Sequence, residues 1–155
     1  MLIAEPIDVP EWVNGLAIGV ASLQGAIYAS GFRDRKLDLF GVAVIGIATG
    51  LGGGFLRDIL LNRLPIALTE NWYILTALVA ALLGMFLARI FRRIDWLITV
   101  LDALALGLFG ALGTTAALVS GLPFVPALFV GVITAVGGGF IRDLLLNMPI
   151  SVMHV

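Results

Sequence analysis

Five long apolar stretches joined by short connections limit this chain more than any other feature. They cover residues 12–32, 39–61, 71–91, 96–120 and 124–148. A helix needs about 20 mainly apolar residues to cross the hydrocarbon of a bilayer. Lipid offers no hydrogen bonds, so each span must satisfy its own backbone, and stretches of this length do so as α-helices. Pro65, Pro123 and Pro149 all fall where a helix should stop. Trp12, Trp72, Tyr73 and Trp96 lie near span ends, where aromatic rings favour the interface. The expected fold class is all-α integral membrane, with residues 1–155 forming a single membrane domain.

Composition agrees. The chain is 61% hydrophobic and 12% charged, against roughly 25% charged in soluble domains. Its net charge of −1 gives no basic field for nucleic acid. With no cysteine there is no disulfide framework or thiolate metal site. The only histidine, His154, has no evident co-ligands, so neither a tightly bound metal nor a cofactor is expected. No nucleophile, base and orienter stand together, which argues against an enzyme. The first fifteen residues carry Glu5, Asp8 and Glu11 and lack the basic n-region of a signal peptide. They are expected to form an extracytoplasmic lead-in.

Six of the nine basic residues, Arg33, Arg35, Lys36, Arg89, Arg92 and Arg93, fall in the first and third connections. The second connection holds Arg63 and the fourth none. Basic connections stay on the cytoplasmic side. The expected topology is a multi-pass protein of the plasma (inner) membrane with its N-terminus outside.

The chain also repeats itself. Residues 52–62, GGGFLRDILLN, recur as residues 137–147, GGGFIRDLLLN, at an offset of 137 − 52 = 85. Nine of the eleven positions are identical and the other two exchange leucine and isoleucine. At the same offset the first span falls on the fourth, with Gly25 on Gly110. Three spans separate the two motifs, so the second copy crosses the membrane in the opposite sense. That is the pattern of an inverted-topology repeat. Repeat 1 covers about 12–92, and repeat 2 covers about 96–155 with its third helix absent.

Three consecutive glycines weaken a helix by about 1 kcal/mol each relative to alanine. Gly52, Gly53 and Gly54, and Gly137, Gly138 and Gly139, are therefore expected to kink or break their spans near the midplane. The competing reading is that the glycines only allow close packing and that the Arg-Asp pair following each triplet merely neutralises itself. One turn later come Arg57-Asp58 and Arg142-Asp143, charges that inside a span normally face a bundle interior or a pathway. Adjacent helical residues do not face each other, so partners beyond the pair are expected. Other polar residues within spans include Asn14, Ser22, Gln24, Thr76, Thr114, Thr115, and Thr49 and Thr134 at equivalent repeat positions. Asp102 has no neutralising neighbour in sequence, and the topology puts it in the same half of the membrane as Arg142. Pairing of the two, closing the cytoplasmic side, is expected, and removing both should restore stability. At offset 85 the counterpart of Asp102 is Ala17, which leaves Arg57 to Asp58, backbone carbonyls or water.

The paired Gly-Gly-Gly-x-x-Arg-Asp motifs, with Asp38-Leu39-Phe40-Gly41 and residues 102–110, DALALGLFG, resemble the prokaryotic trimeric intracellular cation channels. These are similar to a bacterial group whose domain is labelled a glycine transporter. The resemblance covers nearly the whole chain. It implies seven helices, two inverted three-helix repeats and a final helix, of which five are visible here. It further implies a homotrimer in membrane lipid, with a pore in each subunit lined by the kinked second and fifth helices and permeated by monovalent cations, chiefly K⁺. The pore-lining and gating candidates are Thr49, Gly52, Gly53, Gly54, Arg57, Asp58, Asp102, Thr134, Gly137, Gly138, Gly139, Arg142 and Asp143. The inositol phospholipid of the eukaryotic relatives is not carried over, because no basic residue precedes Arg142 in the second glycine segment. Two alternatives stand beside the channel. One is a small-molecule transporter for a glycine-like amino acid, whose carboxylate a helix terminus could hold. The other is a membrane scaffold without transport.

Overall fold

The computed structural model describes residues 9–31, 37–91 and 95–150. They form five α-helices: α1 Glu11–Ala29, α2 Leu39–Leu60, α3 Asn71–Phe91, α4 Asp95–Val119 and α5 Phe124–Leu145. A 3₁₀ turn, Ile66–Leu68, joins α2 to α3, and there is no strand among the described residues. Arg33, Arg35, Lys36, Arg92, Arg93 and His154, and the side chain of Arg89, lie outside what is described, as do Glu5 and Asp8.

Four of the five expected spans, α2 to α5, are long and apolar enough to cross a membrane by themselves. α1 falls short because Asn14, Ser22 and Gln24 dilute it. Its position explains the difference. Ten of its nineteen residues are buried, Ser22 and Gln24 among them, and it packs against α2, α3 and α4. Protein rather than lipid surrounds it, so its side chains need not be apolar. The outward faces are the reverse. Leu75, Val79, Leu83, Phe86 and Ile90 make an exposed stripe on α3, and Val125, Phe129 and Val132 do so on α5. Such stripes suit hydrocarbon and are far too apolar for water.

Because lipid is as apolar as leucine, the helices gain little from burying large apolar side chains against each other. Close packing of small residues holds them instead. The core is accordingly rich in Ala17, Ala21, Ala26, Ala77, Ala81 and Ala117. α2 and α5 cross at their glycines. A Cβ on Gly53 would land on the carbonyl oxygen of Thr134, and a Cβ on Gly138 on that of Thr49. One on Gly52 would lie 2.6 Å from Ile141 Cδ1, and one on Gly137 2.7 Å from Leu56 Cδ1. Gly54 has nothing within 4 Å of the same point. One glycine of each triplet, Gly53 and Gly138, is thus demanded by a backbone-on-backbone crossing, while Gly52 and Gly137 face the side-chain ends of Ile141 and Leu56.

This corrects the expectation of a break. Both helices run α-helical through the triplets without interruption. Gly53 and Gly138 are needed because the partner's backbone occupies the space of a side chain. A leucine at Gly53 or Gly138 would therefore disrupt assembly of the bundle and not transport alone.

The helix ends repeat as well. Asn62 and Asn147 have φ of 52° and 47°. In the first copy Arg63 N–H donates to Asp58 O and Asn62 N–H to Ile59 O; in the second, Met148 N–H donates to Asp143 O and Asn147 N–H to Leu144 O. These are matched Schellman caps, which need a residue tolerant of the left-handed region, here asparagine. At the start of α2, Asp38 Oδ1 accepts from Gly41 N–H at 2.7 Å, a conventional N-cap.

The offset of 85 holds for α2 and α5 but not for α1 and α4. Thr49 packs on Gly25 as Thr134 packs on Gly113, with an added glycine Cβ 2.5 Å from the threonine Oγ1 in each case. Gly46 meets Ser22 O as Gly131 meets Gly110 O. Both pairs give α1 and α4 an offset of 113 − 25 = 110 − 22 = 88. Between equivalent contacts the chain is 88 − 85 = 3 residues shorter in the second copy, so a single offset misaligns the first helices. Gly25 corresponds to Gly113 rather than Gly110, and Asp102 corresponds to Asn14 rather than Ala17.

Gly53→Ala and Gly138→Ala should each destabilise the bundle by at least about 2 kcal/mol through overpacking. Gly54→Ala should be neutral or stabilise by up to about 1 kcal/mol. Thermal unfolding of the purified protein in detergent checks the order, and equal effects at Gly53 and Gly54 would contradict the crossing.

Candidate functional site

Each crossing helix carries its Arg-Asp pair about one turn beyond the glycines. All four side chains are buried: Arg57 6%, Asp58 3%, Arg142 3% and Asp143 0% exposed. Contrary to the expectation from helical spacing, the neighbours pair with each other. Arg57 Nε donates to Asp58 Oδ1 at 2.8 Å and Arg57 Nη2 to Asp58 Oδ2 at 3.1 Å. Arg142 Nε donates to Asp143 Oδ1 at 2.9 Å. A long guanidinium stem can fold back on the next residue, and burial leaves an unpaired charge strongly disfavoured. Asp58 Oδ2 also accepts from Ile66 N–H at 3.0 Å, which ties the pair to the turn after α2.

Beyond this shared core the two ends differ. Arg142 Nη1 donates to Gln24 Oε1 at 3.1 Å and lies 3.7 Å from Asp102 Oδ1. Its guanidinium carbon sits 4.2 Å from the centre of the Tyr28 ring, a cation–π contact. The expected Arg142–Asp102 pairing is therefore present, as the looser of the two ion pairs on Arg142. Asp102 is half exposed and Asp143 is not. Gln24 and Tyr28 were missed as partners in sequence, where nothing separates a polar residue in one helix from any other. Among the described residues the Arg57 side chain makes no hydrogen bond or ion pair beyond Asp58.

At the offset of 88 the counterparts of Gln24, Tyr28 and Asp102 are Leu112, Ala116 and Asn14. All three, with Arg57 and Asp58, line a cavity of about 320 Å³. A small annex of about 10 Å³ extends it toward Gly54 and Phe109. The cavity lined by Arg142, Asp102, Gln24, Thr49, Gly138 and Gly139 measures about 30 Å³. Phe109, 4% exposed, lines both the annex and the Arg142 cavity. Ala116 is smaller than its counterpart Tyr28, Leu112 is apolar where Gln24 is polar, and Asn14 is uncharged where Asp102 is charged.

Thr49 and Thr134 flank the crossing fully buried, but their hydroxyls donate to their own helices, to Ile45 O and Val130 O, each at 2.7 Å. No group of three or more His, Cys, Asp or Glu that could hold a metal occurs among the described residues.

Asp58→Asn should cost about 3–5 kcal/mol, because it strands a buried arginine, and Asp143→Asn should cost less, because Arg142 keeps Gln24 and Asp102. Asp102→Asn should cost less than about 1 kcal/mol, since Arg142 keeps Asp143 and Gln24 and the Asp102 carboxylate is half in solvent. Adding Arg142→Gln to Asp102→Asn should not restore stability, because Asp143 then loses its ion pair with the arginine. Denaturation midpoints of the four proteins check this order.

Residues 11–89 and 99–155 match the family described as glycine transporter. Among curated proteins, a UPF0126 membrane protein of Deinococcus radiodurans is 35% identical over 144 residues, 92% of this chain and 66% of that protein. The UPF0126 inner membrane protein YadS of Escherichia coli K12 is 35% identical over 136 residues, 86% of this chain and 64% of that protein. The chain thus spans slightly less than two thirds of these relatives. Among solved structures, the TRIC trimeric intracellular cation channel orthologue from Rhodobacter sphaeroides superposes with a TM-score of 0.85 at 32% identity, over 94% of this chain and 74% of that one. A prokaryotic TRIC channel solved in 0.5 M KCl gives 0.83 at 29% identity, over 92% and 73%. These neighbours are non-enzymatic membrane channels. The matched helices and the paired glycine crossing place the chain in the glycine transporter family of bacterial membrane proteins, which shares its fold with the prokaryotic TRIC cation channels.

Proposed function

We propose that this chain conducts monovalent cations, chiefly K⁺, along a path within each subunit between α2 and α5. The observation that carries the reading is the pair of cavities on either side of the glycine crossing, one lined by Arg57 and Asp58 and the other by Arg142 and Asp102. The names of the solved neighbours support it. In this reading Thr49, Gly52, Gly53, Gly54, Thr134, Gly137, Gly138 and Gly139 form the narrow middle. Arg57 and Asp58 lie at one mouth; Arg142, Asp143 and Asp102 lie at the other. Phe109 acts as an apolar barrier, since a constriction without polar groups resists wetting.

The reading extends to an inverted repeat within one membrane domain, with repeat 1 near 12–92 and repeat 2 from 96. The reciprocal contacts of Gly53 with Thr134 and Gly138 with Thr49 support such a relation. It also extends to a homotrimer in the inner membrane with the N-terminus outside and the Arg142 end toward the cytoplasm. The glycine transporter reading remains the alternative, favoured by the family description and by the open Arg57 cavity.

Purified protein in planar bilayers should give unitary currents in symmetrical K⁺, and Phe109→Ala should raise the open probability or conductance severalfold. Saturable, gradient-coupled glycine uptake without unitary currents would replace the channel with the transporter. For topology, an impermeant thiol reagent applied to intact cells should label Leu122→Cys and spare Lys36→Cys. The opposite pattern would reverse the orientation.

A further inference from the structure

The two Arg-Asp motifs have the same sequence and the same internal ion pair, yet one arginine is fully served and the other is not. Arg142 uses Nη1 on Gln24 and Asp102, and its face on Tyr28. Arg57 is 94% buried, spends Nε and Nη2 on Asp58, and has no partner for Nη1 among the described residues. It lines a cavity about ten times larger than the one at Arg142, 320 against 30 Å³. Nη1 is not among the buried atoms without a partner, so it opens on the cavity, where it can donate to water or to a ligand. The Arg142 end meets its Nη1 with a carboxylate and an amide oxygen; the Arg57 end has Asn14, Leu112 and Ala116 in the corresponding places.

We propose that the Arg57 cavity is a binding site for a small carboxylate, which takes the place that Asp102 fills at the other end. The charges lining the cavity favour an anion. Arg57 and Asp58 cancel, and Arg63 adds one positive charge. Asp58 does not compete, because Oδ1 accepts from Arg57 Nε, and Oδ2 from Arg57 Nη2 and the Ile66 backbone N–H. Planar, bidentate-capable guanidinium suits a planar carboxylate better than a spherical anion. The hydroxyls of Thr69 and Thr115 and the Asn14 amide supply further hydrogen-bonding groups around it. A volume near 320 Å³ admits an ion of acetate or glycine size with accompanying water. The site follows from the cavity and its arginine, whether the bound carboxylate is cargo or stays in place while cations pass.

Isothermal titration of the full-length protein in nanodiscs with acetate, glycine and chloride at equal ionic strength tests this. Acetate should bind saturably in the millimolar range or tighter, and chloride should not. Glycine binding alongside acetate identifies an amino-acid carboxylate; acetate alone identifies a simple one. Both outcomes support the site. Asn14→Asp places a carboxylate where Asp102 stands at the other end, and should weaken acetate binding at least tenfold, about 1.4 kcal/mol. Ala116→Tyr, which fills the cavity as Tyr28 fills its counterpart, should do the same independently of Asn14. No saturable acetate binding, equal binding of chloride, binding of glycine without acetate, or binding unchanged in folded Asn14→Asp or Ala116→Tyr would each overturn the proposal.

Discussion

The contact on which the rest of the bundle depends is the crossing of α2 and α5, where the backbone of each helix sits in the space of a missing side chain on the other. Gly53 faces the Thr134 carbonyl and Gly138 faces the Thr49 carbonyl. Without a hydrophobic effect between helices in lipid, approach this close is a main source of attraction, through dispersion and weak Cα–H···O contacts. It also sets geometry. α1 docks on α2, and α4 on α5, through further small residues, Gly25, Gly46, Gly113 and Gly131 among them. Once the crossing is fixed, the two Arg-Asp pairs are carried to opposite sides of it.

The four charges then become a constraint of their own. In hydrocarbon or dry protein each must be neutralised at short range. The i,i+1 pairing does this within one helix turn, so neither motif requires a charge from another helix to fold. That freedom lets the surroundings of the two pairs diverge. One end gathers Gln24, Tyr28 and Asp102 around its arginine, and the other leaves a cavity. The Arg142 end carries one more carboxylate than arginine, while the Arg57 end is balanced before Arg63 is counted. A path joining the two is thus electrically asymmetric along its length.

Much of this was legible in the sequence. Span number and limits followed from apolar length, and helix ends from Pro65, Pro123 and Pro149, whereas the asparagine caps were not read. The Arg142–Asp102 pairing was readable from topology, because opposite directions of α4 and α5 put both residues in one half. Three further features were not legible. Glycine triplets signal weak helix propensity and close approach alike, and only the position of the partner backbone separates them. Arg-Asp self-pairing depends on how far a flexible side chain folds back, which spacing rules for short side chains do not capture. The three-residue slip between α1 and α4 was hidden because their apolar sequences align almost equally well at several offsets. A motif as distinct as the glycine triplet pins only the helix it lies on.

The slip in turn explains why the copies match where they do. α2 and α5 are each other's partners, so a change in one triplet meets the unchanged backbone of the other. Steric demand is therefore the same for both, and nine of the eleven motif positions are identical. α1 and α4 stand differently. α4 packs mainly on α5, whereas α1 divides its packing between α2 and α3, and α4 has little contact with α3. Nothing forces them to stay alike, and their differences fall on the residues that surround the two arginines. A duplicated scaffold with a shared crossing can in this way hold two chemically distinct ends. The crossing preserves the fold, while the helices beside it decide what each end can bind.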